Sequence, residues 1–246
     1  MHRKPGAFMS PLYTIGIEAF IREGNCPMNL SVALFFIHTV VATLIVGTLF
    51  ARRHDPVFRN FGIAILLDAA AFAAWTVPVF MEAANLALYV SVGTVFFIAS
   101  MVFLLAAGTQ GMSGPARRGL MLLAAVVGAG IYYLGSLPAY PSTPMFSGDG
   151  LFFFNVHPLL QALYVIALAL VAFPAIEAVV SRFDAPYATF LRYGFIAEVA
   201  AGIVLMTSSS VAPGGALAAT VAGYVIGVTY FAIWTTLLFK RKAWPG

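Results

Sequence analysis

Two acidic residues stand where acids are costly. Asp68 lies near the centre of 61–80, FGIAILLDAAAFAAWTVPVF, and Glu198 lies near the centre of a second apolar run at 187–208. A carboxylate at the middle of a bilayer costs about 2.5–3.5 kcal/mol on insertion scales, so each acid needs a partner or a polar lining. Glu198 shares one helix face with Gly194 and Gly202, and glycines on a membrane helix let a neighbour approach closely. That face is therefore expected to meet protein rather than lipid. Asp68 shares its face with Phe61, Ile65, Phe72 and Trp75, a mostly bulky stripe. Two readings follow. The acids belong to a proton or cation path, or hold the polar end of a ligand, with Trp75 beside them. Alternatively each hydrogen-bonds a facing Ser, Thr or Tyr and fixes helix packing.

Other groups sit at related depths. His38 and His157 lie in the same half of the bundle but on different runs. Such a pair has the chemistry to ligate haem b axially, or to serve a quinone-binding redox subunit, or to sense protonation. His157 stands between Asn155 and Pro158, which also suits a helix-start turn. Tyr224 falls near the middle of the last run and is a candidate for the polar path, with Tyr230 deeper. Ala219, Gly223 and Gly227 form a small-residue stripe on that run, read as a packing face.

The elements that must position these groups are membrane helices. Of 246 residues, 61% are hydrophobic and 9% charged. A soluble domain carries about 25% charge, so lipid must solvate much of this chain. Segments of period two do not recur, which excludes an outer-membrane barrel. Seven apolar runs, at 30–50, 58–80, 86–107, 119–137, 153–176, 187–208 and 216–239, are each long enough to cross about 30 Å. The fold class expected is all-α: a polytopic seven-transmembrane-helix bundle. The domains are a leader at 1–28, the bundle at 29–240 and a basic tail at 241–246. Within the leader, Ser10-Pro11 begins a short interfacial amphipathic helix extending to Arg22. The longest connection, 137–152, holds three prolines and several aromatics. It is either a lid over the bundle or a rigid connector.

Arginine and lysine set the expected orientation. Ten of the thirteen stand on one side, in the connections after runs one, three and five and in the tail; Arg3, Lys4 and Arg22 are on the other. The positive-inside rule places the N-terminus outside and the C-terminus in the cytoplasm, and an odd number of spans requires that. The expected location is a bacterial inner (plasma) membrane. The pI near 9.3 reflects these topogenic residues, so nucleic acid is excluded as a partner. A single cysteine, Cys26, excludes an intrachain disulfide.

No HExxH, GxSxG or Walker-type loop is present, and the expectation leans away from an enzyme. The outline, seven spans with the N-terminus outside, is similar to that of microbial rhodopsins, which carry retinal on a lysine of the last helix. Here the lysines are Lys4, Lys240 and Lys242, so retinal is not supported. The outline also resembles the seven-span input modules of bacterial sensor kinases and cyclases; span count and composition carry that resemblance. It implies a sensor whose output lies on a partner protein or a second copy. The leading expectation is a non-enzymatic membrane module that binds a small or lipophilic ligand, or senses protonation. The alternatives are a proton- or cation-coupled transporter using Asp68 and Glu198, and the redox subunit using His38 and His157.

Overall fold

The computed structural model of the chain describes residues 30–80, 86–137, 142–146, 152–207 and 213–239. These form helices α1 (Leu30–Ala51), α2 (Pro56–Phe80), α3 (Leu86–Gly108) and α4 (Gly114–Gly135), then strands β1 (Ser142–Phe146) and β2 (Phe152–Val156), then helices α5 (Pro158–Val180), α6 (Ala185–Thr207) and α7 (Pro213–Phe239). Among the described residues, six helices are long and apolar enough to cross a membrane, and α1 contributes a further apolar segment, Val40–Ala51. The protein is an integral membrane protein in a lipid environment. The interfacial helix of the leader and the basic tail lie outside the described residues.

Capping chemistry moves several helix starts away from the hydropathy boundaries. Asp55 begins α2: its Oδ1 accepts the Val57 N–H at 2.7 Å, with Pro56 at the first helical position. A side-chain acceptor followed by proline is a strong start signal. Pro115 likewise lies in the first turn of α4, which brings Arg117 and Arg118 into the helix rather than the connection before it. The fifth run loses its first residues to a strand. β2 pairs antiparallel with β1, with Ser142 opposite Val156 and Phe146 opposite Phe152. The membrane bundle is helical, as its composition requires, and the α4–α5 connection adds this hairpin. β1 touches α2 and α3 while β2 touches α6 and α7, so the hairpin spans one end of the bundle.

The helices close into a ring. α1 packs on α2 and α7, α2 on α3, α3 on α5, α5 on α6, and α6 on α7. α4 stands outside, against α3 and α5, and buries just Gly128 and Ile131. Small residues allow the close contacts. A Cβ at Gly62 would strike the backbone of Ala51 on α1, and one at Gly93 would strike the Trp75 indole; at Gly108 it would lie 2.8 Å from the Ala175 backbone nitrogen of α5.

The end opposite the hairpin carries the arginines. There Arg182, after α5, lies 2.9 Å from Asp55, before α2, as an electrostatic contact without aligned hydrogen-bond geometry. Arg192 of α6 forks onto Glu177 of α5 at 2.8 and 2.9 Å. Beneath them Phe50 is fully buried, with Phe58, Phe61, Phe183 and Phe195 at ring-centroid distances of 5.7, 5.5, 6.5 and 6.1 Å. This layer joins α1, α2, α6 and the α5–α6 turn.

Gly62→Ala tests the ring closure. Backbone cannot yield as a side-chain tip can, so the variant is expected to lose about 1–3 kcal/mol or more. Thermal unfolding in detergent, followed by circular dichroism, measures this. Gly130→Ala, where a Cβ meets nothing within 4 Å, is expected to leave the midpoint unchanged.

Candidate functional site

A cavity of about 170 Å³ lies inside the ring. Each ring helix contributes to its wall: Thr43 from α1, Asp68 from α2, Phe97 from α3, Tyr164 from α5, Glu198 from α6 and Tyr230 from α7. α4 contributes nothing, as its outside position dictates. Toward the arginine end the wall is Phe61 against Phe195, with centroids 4.9 Å apart and planes at 78°. Toward the hairpin end it is Trp75, Phe97 and Tyr164, with Phe97 and Tyr164 edge to face at 5.2 Å. Most of the lining is apolar, with the two acids between these aromatic layers.

The acids are accommodated differently. Ser100 of α3, fully buried, donates its hydroxyl to Asp68 Oδ1 at 2.5 Å. Asp68 is only partly buried because its side chain borders open cavity rather than neighbouring atoms. Glu198 is 9% exposed, and its Oε1 has no hydrogen-bond partner. A buried acceptor left unsatisfied costs about 1–3 kcal/mol. Tyr230 lines the same cavity as both carboxyl groups. One cavity therefore holds both acids and a phenol.

The glycines flanking Glu198 have separate roles. A Cβ at Gly194 would come 3.2 Å from Ile233 Cδ1, so this glycine lets α7 approach α6. At Gly202 the nearest atom would be Leu168 Cδ2 at 3.8 Å, an ordinary contact, and Gly202 borders the cavity. Gly223 and Gly227 are buried on α7. The side chain of Ala219, like that of His38 on α1, lies outside the described residues.

Trp75 is buried with its indole N–H donating to the Val90 carbonyl at 3.2 Å, which fixes the ring's orientation against the cavity. Tyr224 is 39% exposed and does not border the cavity; Tyr230 does. Tyr230 follows Ile226 by one helical turn, and both face inward. His157 caps α5: its Nδ1 accepts the Leu159 N–H at 3.2 Å, ahead of Pro158. It stands at the helix start, away from the cavity wall. Among the described residues no group of three or more His, Cys, Asp or Glu side chains is arranged to hold a metal ion. Ser100, Tyr164 and Thr43 escape the sequence reading. A hydroxyl in a membrane helix commonly bonds its own preceding turn, as Thr94 and Thr109 do here, so the cross-helix role of Ser100 leaves no mark on the sequence.

No protein-family model, curated protein or solved structure matches the chain.

Removing each acid's surroundings separates the two cases. Ser100→Ala deprives Asp68 of its donor and is expected to cost about 0.5–2 kcal/mol. Glu198→Met deletes an unsatisfied oxygen and is expected to leave the thermal midpoint in detergent unchanged or higher. A drop with Glu198→Met comparable to that with Ser100→Ala would give Glu198 a bonding partner in the resting protein.

Proposed function

We propose that the protein is a membrane ligand-binding module, which takes a small lipophilic molecule into the centre of its ring and passes occupancy to a partner. The observation that carries this reading is an apolar cavity, walled by six helices, into which a buried carboxyl group points without a hydrogen-bond partner. Small-molecule sites are concave, mostly apolar and furnished with a few convergent polar groups. The volume is of the order of the about 150 Å³ cavity that accepts benzene in another protein, which limits the occupant to roughly ring size. An acid serving packing alone gains a donor, as Asp68 does from Ser100. Glu198 lacks one, and a ligand that supplied it would recover the desolvation cost.

The Asp55–Arg182 contact supports a route for the signal. It ties the α1–α2 turn to the α5–α6 turn, so a shift of α6 against α2 around a ligand reaches the arginine end directly. In the proposed setting that end faces the cytoplasm of a bacterial cell, with the N-terminus outside and a partner protein or a second copy receiving the change. A second reading, a proton- or cation-coupled transporter, draws on the same acids. The aromatic layers on both sides of them favour it as an occluded compartment.

Toluene is the probe for the first reading. In lipid nanodiscs it is expected to raise the thermal midpoint saturably, and Gly202→Leu, which fills the cavity from α6, is expected to abolish the rise while keeping the fold. A rise that does not saturate, or that survives Gly202→Leu, would remove the cavity from the function. Orientation is checked separately: alkaline phosphatase fused after Gly246 is expected to be inactive in a Gram-negative host, and full activity there would invert the topology.

A further inference from the structure

We infer that the occupant of the cavity is an organic cation, a small lipophilic amine whose ammonium group is held by Asp68, Glu198 and Tyr230. The inference rests on the ligand-binding reading and names the ligand's chemical class.

Charge comes first. Two carboxyl groups border the cavity, and among the side chains described there no lysine, arginine or histidine does, that of His38 lying outside them. Among the side chains described there the acids have no basic neighbour, so this lining favours a cation over an anion. Donor count comes next. An ammonium presents three N–H donors. The site presents Glu198 Oε1, which has no partner, the second oxygen of Asp68, whose Oδ1 Ser100 already engages, and the Tyr230 oxygen. Ser100 thus fixes one acid while leaving it an open acceptor.

The walls separate an amine from a metal ion. Hard cations such as calcium take 6–8 oxygen ligands, and magnesium keeps a near-octahedral shell. This lining is largely hydrocarbon and aromatic ring, unable to complete such a shell. Aromatic lining suits an alkylammonium or arylammonium: Trp75 and Tyr164 border the cavity with rings of the kind that attract cations, and Phe61 and Phe195 add apolar wall for the substituent. Proton balance is simple. An amine entering from lipid as the neutral base takes the proton of a carboxyl group; an N–H bond forms as the O–H bond breaks, and the resulting ammonium–carboxylate pair carries no net charge. Release reverses the transfer.

The test uses a set of near-isosteres, namely toluene, benzyl alcohol, benzylamine and benzoate, titrated calorimetrically against the full chain in nanodiscs. Benzylamine is expected to bind about tenfold or more tighter than toluene, as charged hydrogen bonds in a dry site allow, with benzoate not binding. Glu198→Gln is expected to bring benzylamine down to the toluene level while toluene itself stays within about twofold, which also shows that the variant is folded. Should Glu198→Gln fail to fold, Tyr230→Phe is expected to weaken benzylamine several-fold and leave toluene unchanged. Equal affinity for benzylamine and toluene would overturn the amine inference and leave the cavity reading standing. Binding of none of the four would overturn both.

Discussion

A carboxyl group at the depth of hydrocarbon cannot face lipid cheaply, and this protein carries two. That constraint explains the ring. Helices α2 and α6 turn their acids toward a common interior, and the remaining ring helices close around them, with glycine at the contacts where backbones or an indole must come near. The aromatic layers follow from the same need. Phe61 and Phe195 on one side, and Trp75, Phe97 and Tyr164 on the other, bound the space the acids share. α4 carries no acid and stands outside, packing on the ring through a face that includes Leu120, Ala124, Val127 and the buried Ile131.

How much of this is legible in the chain depends on which signal is local. Hydropathy alone marks the helices, because a span must satisfy its own backbone within about 20 residues. The spacing of Gly194, Glu198 and Gly202 turns Glu198 inward without any partner being known. Boundaries are less visible because caps decide them: Asp55 and His157 each begin a helix from within a stretch that composition reads as connection or span. The hairpin is invisible to hydropathy for a similar reason. Phe153 and Phe154 read as the start of a span, and only pairing with residues 142–146, a non-local event, makes them part of a strand.

The interior of the site is the least legible part. α7 is apolar nearly all round, so hydropathy does not choose between the face of Tyr224 and that of Tyr230. The choice is made by Gly223 and Gly227, which are buried and so set the rotation of the helix. Ser100 is hidden differently. Its meeting with Asp68 depends on the relative height of α2 and α3, which the seat of Trp75 on Gly93 helps to fix. Sequence periodicity states which face a residue occupies but not how far along its neighbour it lands.

The pairing of Asp68 with Ser100 also bears on how the chain is made. The two residues lie on consecutive helices, so α2 and α3 leaving the insertion machinery as one hairpin already contain an acid and its donor. Glu198 arrives with α6, and the wall around it is complete only once α7, the last helix of the ring, has been synthesised. A nascent chain halted before α7 would hold that acid beside an open seam between α6 and α1. The shielding of Glu198 thus depends on α7 being seated between α6 and α1.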